Sequence, residues 1–321
     1  MPARIAVLVL NFGGPERYED VESFLFNLFK DSKVIRLPFN FMQKPFARFV
    51  AHLRAPKIIA QYKQTGGPSP LNEWTRKQVK GLQTRLPEYR FYMGFSYMPP
   101  FITDVMVEIK KDAPEFVIVL PLYPQYSNTT TGSGFADIQA FLKQQPLPST
   151  FHFIDHWYHN AKYLHALKLR IEQGARHFSE APHIIFSAHS IPETYLKDGD
   201  PYIQHIEETV HLLTRDLNCV SGFNLAYQSK LGPVKWVGPS TADTIRSLGA
   251  EAVRRLLVCP ISFVSDHIET LYEINVELRH IAKQAGVSEF RCTEGLNDLP
   301  PFLDALADVI EQAKMTFKLA T

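Results

Sequence analysis

One stretch of the chain carries histidine and carboxylate side chains with the types and spacing to move protons or to hold a divalent cation. In CPISFVSDHIETLYEINVELRHIAKQ, Glu269, Glu273 and Glu277 recur at i, i+4 and i+8, just after an apolar run ending near Phe263. At ~100° per residue of α-helix they share an arc of about 80°, with Leu271, Ile274, Leu278 and Ile281 opposite. The helix is expected to open at Ser265 or Asp266. One account of the row is a solvated face in which Asp266-x-x-Glu269 forms a capping box. Against it, like charges at i, i+4 repel by a few tenths of a kcal/mol, and none of the three has Lys or Arg four residues later. The other account is a track for protons or a cation, with His267 beside it. His189, in HIIFSAHSIP, stands just past a second buried strand, where imidazole is both a base near neutrality and a metal ligand. His267-x-Glu269 lacks the P-C-x-x-C partner that a zinc deaminase requires.

One other strand end is polar and loop-rich. PLYPQYSNTTTGSG (Pro121–Gly134) offers tyrosines, hydroxyls and glycines, but not the Gly-x-x-x-x-Gly-Lys spacing of a phosphate loop. Asn11-Phe12-Gly13-Gly14-Pro15 is explained by a plain strand-to-helix turn and is no dinucleotide fingerprint. The three cysteines, Cys219, Cys259 and Cys292, include no C-x-x-C pair, so neither a disulfide framework nor a structural zinc site is expected.

The elements that must position these residues alternate strand, helix, strand, helix. Short apolar runs at 4–10, 90–95, 116–122, 150–154, 183–189, 223–228, 255–262 and 289–292 read as strands, with helical stretches between most of them. Runs such as FVIVLPL and HIIFSA are apolar throughout, as strands covered on both faces of a parallel sheet must be. The pattern predicts an open, doubly wound α/β architecture, in which ligands bind beyond the carboxyl ends of the strands. Eight strands suit two four-stranded units, residues 1–160 and 161–321, with a boundary near 156–166 and a last helix at 300–317 that can pack back on the first unit. The segment 34–54 departs from the pattern. Phe39, Phe41, Met42, Phe46 and Phe49 stand among prolines and Lys/Arg without fitting one helical stripe. Either an ordinary packed helix or an exposed apolar lip with a basic rim accounts for it.

Composition narrows the function. A chain of 321 residues with 34 Lys+Arg against 33 Asp+Glu has a formal net charge of +1 and no field to attract nucleic acid. Hydrophobic residues at 45% and charged residues at 21% are globular values that exclude disorder. No apolar run approaches the ~18–20 residues of a membrane span, and Ile5–Leu10 reads as a first strand rather than a signal segment. The expectation is a cytoplasmic protein.

Seven strings in order, VLVLNFGGPE, APKIIAQYKQTGGPSPLNEWTRKQ, LPLYPQYSNTTTGS, FSAHSIPE, GDPY, AYQSKLGPVKWVGPST and ISFVSDHIETLYE, resemble those of ferrochelatase. That family inserts ferrous iron into protoporphyrin IX to give protohaem, the last step of haem synthesis. The resemblance implies two similar Rossmann-like units, each with a mainly parallel four-stranded sheet, and a porphyrin cleft between them. It places the family's invariant histidine at His189 and its acidic metal-site residue at Glu269, with His267 and Glu273 as further catalytic residues. Tyr123, Trp236, Phe263, Tyr202, Tyr97, Ser127 and Thr129 fall on the porphyrin cleft, and Trp157 near the metal's route. His189 then either takes a pyrrole proton or hands over iron, both roles being open at this point. Fe²⁺ is a substrate, and no permanent cofactor is implied. Relatives with an iron–sulfur cluster use a loop cysteine and a cysteine-rich tail; Asn128 stands at the loop position and the chain stops at Thr321, so no cluster is expected. Ser96 replaces the Arg of mitochondrial relatives and leaves the propionate partner open, as it leaves protoporphyrin against coproporphyrin. The lip 34–54 resembles that of membrane-associated relatives, which implies peripheral contact at the inner face of the membrane. Monomer and homodimer are both compatible with the resemblance. Two rivals stand beside this reading: a chelatase for another metal or tetrapyrrole, and a non-catalytic porphyrin or haem carrier, which would gain nothing from a row of repelling carboxylates.

Overall fold

The structure, a computed structural model, describes residues 4–230, 232 and 234–320, with side chains as far as Met315. Leu231 and Pro233 of AYQSKLGPVKWVGPST, and the first three residues and Thr321 of the expected unit bounds, lie outside the described residues.

Each predicted apolar run forms a strand: β1 (Ile5–Asn11), β2 (Arg90–Phe95), β3 (Phe116–Pro121), β4 (Thr150–Phe153), β5 (His183–His189), β6 (Gly222–Gln228), β7 (Arg255–Pro260) and β8 (Glu289–Cys292). They make two four-stranded sheets with the orders β2-β1-β3-β4 and β6-β5-β7-β8. Every ladder is parallel. The inner strands carry the unbroken apolar runs because each has a strand on both sides and helices on both faces. Leu8, Val119, Ile185 and Val258 are fully buried there. This is the doubly wound α/β arrangement expected. The chain divides into two compact units, one formed by the chain up to Trp157 together with the segment from Leu306 onward, the other by Tyr158–Ala305.

In the first unit, α1 (Asp20–Lys30), α2 (Gln43–Gln64), α3 (Leu71–Arg85), α4 (Ile102–Asp112) and α5 (Thr131–Gln144) link the strands. Ile102, Met106 and Ile109 of α4 and Ile138 of α5 pack with Leu8, Leu10, Val117 and Val119. Each such side chain contributes roughly 1.5–3 kcal/mol on burial. The lip opens with a 3₁₀ turn at Asn40–Met42 and continues into α2, whose polarity is inverted. Small residues Ala47, Ala51 and Ala55 face inward, while Phe39, Phe41, Phe49 and Leu53 are 60%, 78%, 65% and 60% exposed. That inversion is why no apolar stripe was legible there.

In the second unit the helices are α6 (Ala161–Ala175), α7 (Glu193–Lys197), α8 (Tyr202–Thr214), α9 (Thr241–Ala250), α10 (Arg279–Gln284) and the start of α11 (Pro300–Ala320). Asn160 caps α6 by accepting the N–H groups of Lys162 and Tyr163. The helix carrying the glutamate row differs from expectation. Its first helical residue is Ile268, and residues Glu269–Leu278 wind as a π-helix, with one extra residue per hydrogen-bonded ring, before α10 continues as ordinary helix. The capping box of the solvated-face account does not form, because Asp266 is engaged elsewhere. Its carboxylate accepts Thr270 Oγ1 at 3.0 Å and Asn297 Nδ2 at 2.7 Å. Glu269 is thereby left to face the strand ends, and Asn275 Nδ2 donates to the Thr270 carbonyl at 3.0 Å inside the widened turns.

Candidate active site

At the carboxyl ends of β5 and β6 four polar side chains of the second unit converge. His189 is the last residue of β5, paired in register with Gln228 of β6, so both strands deliver their ends to one place. The main-chain N–H of His189 donates to Ser262 Oγ at 3.0 Å. Its ring Nδ1 lies 2.9 Å from Glu269 Oε2. Glu269 is the first residue of the π-helix, and one turn further Glu273 reaches the same place. Ser229, next after β6, joins them: its N–H donates to Glu273 Oε1 at 2.9 Å, and its hydroxyl lies 2.9 Å from Glu269 Oε2 and 2.5 Å from Glu273 Oε2. A hydroxyl has one hydrogen, so it donates to one carboxylate at a time; the second contact is a hydrogen bond only when that carboxyl is protonated. Ser229 holds φ at +66°, a left-handed conformation rare for a residue with a side chain, and its N–H and hydroxyl bonds to the glutamates fix it there.

The electrostatics follow from this packing. Burial disfavours the His189 imidazolium, but the adjacent Glu269 carboxylate outweighs burial, and the net direction is upward. Burial likewise opposes the Glu269 carboxylate, and His189, His267 and the Ser229 hydroxyl together hold it well below the ordinary carboxylate range. Glu273 has burial and the Glu269 charge against it and is pushed up to about 7. Two carboxyls sharing one hydroxyl are thus driven apart in proton affinity.

His267 sits with Nδ1 at 3.1 Å from the Ser265 carbonyl, which makes Nδ1 the donor and leaves Nε2 turned toward Glu269 Oε1 at 4.0 Å. Phe263 lies between the two histidines in ring contact with both, its centroid 6.3 Å from His189 and 4.4 Å from His267. Trp236 is bridged to Pro192 in the segment just after His189. Tyr202 opens α8 and is buried. Glu277, third in the predicted row, is exposed and makes no hydrogen bond to these groups.

The remaining sequence-predicted residues belong to the first unit. Tyr97 is 3% exposed and packs edge-on against Phe12, with centroids 4.9 Å apart; Phe12 meets Tyr123 edge-on at 5.6 Å. The Tyr123 hydroxyl is buried and finds no hydrogen-bond partner among the described residues. Ser127 and Thr129 are within 3.0 Å through their hydroxyls, in the turn that starts α5. Trp157 is buried, its indole N–H donating to the Pro121 carbonyl at 2.9 Å. Among the described residues no group of three or more His, Cys, Asp or Glu side chains is arranged to hold a metal ion.

Sequence reasoning missed Ser229 and Ser262. The available signal was position alone, since both are polar residues just past the carboxyl end of a strand, the edge strand β6 for Ser229 and the buried β7 for Ser262.

Solved structures of chelatases share this fold. Among solved structures, SirB from Bacillus subtilis with Fe³⁺ is similar with a TM-score of 0.62 over 97% of this chain and 95% of that one, at 9% identity. CbiX, the terminal enzyme for biosynthesis of siroheme in denitrifying bacteria, has a TM-score of 0.54 over 96% and 99%, at 12% identity. At such identities the likeness concerns the fold. The particular family is given by sequence: the family pattern Ferrochelatase matches residues 4–314, and the chain belongs to the ferrochelatase family. A protein named Ferrochelatase from Gloeothece citriformis is 43% identical over 316 residues, 96% of this chain and 82% of its own. Another from Geotalea daltonii is 40% identical over 317 residues, 98% and 99% of the two chains. Among the described residues no helix is long and apolar enough to cross a membrane.

Proposed function

We propose that this protein inserts ferrous iron into protoporphyrin to give protohaem, with His189 taking protons from the pyrrole nitrogens and Glu269 and Glu273 carrying them away. Membership of the ferrochelatase family supports the reaction. The observation that carries the residue roles is the bond from His189 to Glu269 at 2.9 Å. With Nδ1–H donating to the carboxylate, the neutral ring presents Nε2 as a base, and the carboxylate stabilises the imidazolium that forms, the logic of an oriented catalytic histidine. Both porphyrin N–H protons must leave for iron to take their place. A proton on His189 has the Glu269–Ser229–Glu273 bridge beside it, and Glu273, poised at about 7, can bind and release it at neutral pH. His189 and Glu269 would also be the first protein ligands to meet Fe²⁺ as it sheds water. Nε2 cannot hold a proton and a metal at once, and the carboxylate on Nδ1 strengthens it for either, so the two roles would be taken in turn.

Phe263, Trp236 and Tyr202 would supply aromatic surface for the macrocycle in the second unit, and Tyr97 and Tyr123 in the first. Walls that hold the ring bent expose its lone pairs to the metal. The protein works without an iron–sulfur cluster, since the residue matching the loop cysteine is Asn128, whose side-chain oxygen accepts the Tyr126 hydroxyl at 3.3 Å. It resides in the cytoplasm and touches the inner face of the membrane through the lip, from which it draws a poorly soluble substrate. Steady-state insertion with protoporphyrin and coproporphyrin against Fe²⁺, Co²⁺ and Ni²⁺ tests the assignment. Fe²⁺ with protoporphyrin is expected to give the highest kcat/KM; preference for coproporphyrin or for another metal would overturn it.

A further inference from the structure

The first unit holds a carboxylate that the proposed reaction does not use. Asp31 follows α1 directly. Its Oδ1 accepts the main-chain N–H of Lys33 at 2.8 Å. Its Oδ2 accepts the Tyr97 hydroxyl at 2.9 Å and also the hydroxyl of Ser133, in the first turn of α5. One side chain therefore ties together the end of α1, the segment after β2 and the start of α5. The backbone of Tyr97 is fixed as well: its N–H donates to the Phe12 carbonyl at 3.0 Å, and its carbonyl accepts Asn27 Nδ2 at 3.1 Å.

These contacts decide what Tyr97 can offer a ligand. A carboxylate is an acceptor only, so it takes the phenol hydrogen and the hydroxyl has no donor left. What remains of Tyr97 for a ligand is the narrow strip left uncovered, 3% of the residue, with Phe12 edge-on at 4.9 Å and a charge-assisted bond fixing the hydroxyl. We propose that Asp31 is a positioning residue for porphyrin binding, holding the Tyr97 ring in the orientation the macrocycle meets through its bonds to Tyr97 and Ser133. The inference rests on the reading of Tyr97 as a residue of the porphyrin wall.

The test combines Asp31→Asn, Tyr97→Phe, the double variant and Ser133→Ala. Porphyrin Kd is read by fluorescence titration, alongside KM and kcat for iron insertion and the melting temperature. Asparagine keeps the shape but turns donors toward two donor hydroxyls, so at least one bond is lost. Asp31→Asn is expected to raise porphyrin Kd and KM about tenfold with kcat within about twofold. Tyr97→Phe is expected to raise Kd by a similar factor, and adding Asp31→Asn to it to raise Kd no further. Ser133→Ala, which loosens the carboxylate without touching the ring, should give a smaller rise. A wild-type protein that binds porphyrin and inserts iron while Asp31→Asn matches it in Kd and KM overturns the inference alone, as do effects that multiply in the double variant. Should Asp31→Asn fail to fold, unchanged Kd in both Tyr97→Phe and Ser133→Ala overturns it. A wild type that binds no porphyrin overturns the reading of the wall, and this inference with it.

Discussion

His189 owes its chemistry to what holds it, and the holding can be measured. The Ser229 hydroxyl reaches both glutamates, so the proton it shares links their titrations. In metal-free protein, ¹³C NMR of the glutamate side chains should place the Glu273 carboxyl near 7. Glu269→Gln should move it down, because the neighbouring charge is one of the two influences holding it up. A Glu273 titration below 5 would contradict the geometry. The stability consequences have opposite signs. Glu273, raised in the folded state, contributes stability that is whole below its ordinary value of 4.5 and is lost as pH rises through about 7. Glu269, lowered by His189, contributes stability that is whole above 4.5 and is lost as pH falls through its depressed value. Urea midpoints of metal-free protein against pH should therefore decline between 4.5 and 7, and Glu273→Gln should flatten that decline. Ser229→Ala should lower kcat roughly 10–100-fold, the loss of a bridging group in proton transfer, with porphyrin binding unchanged. A kcat within twofold of wild type would remove Ser229 from the relay.

At the scale of elements, the site depends on where the π-helix is seated. Ile274 and Leu278 of that helix and Ala282 of α10 pack on Ile245 and Leu248 of α9. The fit between α9 and the end of α10 is close: a Cβ built on Gly249 would collide with the Ala285 carbonyl oxygen. Gly249→Ala is expected to destabilise the protein by about 1–3 kcal/mol, since backbone on both sides must move. It should also lower iron insertion, because the displaced element is continuous with the helix bearing Glu269 and Glu273. An unchanged melting temperature would show that α10 is free to shift. The strands were legible because fully buried runs such as FVIVLP and IIFSA have no other stable home than the middle of a parallel sheet. The π-helix was not legible, since a periodicity of 100° per residue presumes the α-form and places Glu277 beside Glu269, where the structure leaves it exposed. Ser229 and Ser262 were hidden for a different reason. Their partners Glu269, Glu273 and His189 lie 40 to 73 positions away, and only folding brings them together.

Taken whole, the molecule joins a nearly neutral chain, of net charge +1, to an apolar lip with basic residues on it. Phe39 and Phe41 stack at 5.7 Å in the open. Burying both in a bilayer would contribute roughly 3–6 kcal/mol, enough for reversible attachment. Lys44, Arg48 and Arg54 would each add about 1 kcal/mol against anionic headgroups. Wild-type protein should float with anionic liposomes, and Phe39→Ser with Phe41→Ser should abolish flotation while turnover with detergent-solubilised porphyrin persists. Unchanged flotation with impaired turnover would make the lip a substrate lid alone. The central claim, that His189 takes the pyrrole protons, is tested most directly by single-turnover iron insertion in His189→Ala, with porphyrin affinity measured on the same protein. The expected result is porphyrin binding near the wild-type value with insertion below a hundredth of the wild-type rate, about 2.7 kcal/mol or more of lost transition-state stabilisation. Insertion above a tenth of the wild-type rate, a loss under ~1.4 kcal/mol, would contradict it.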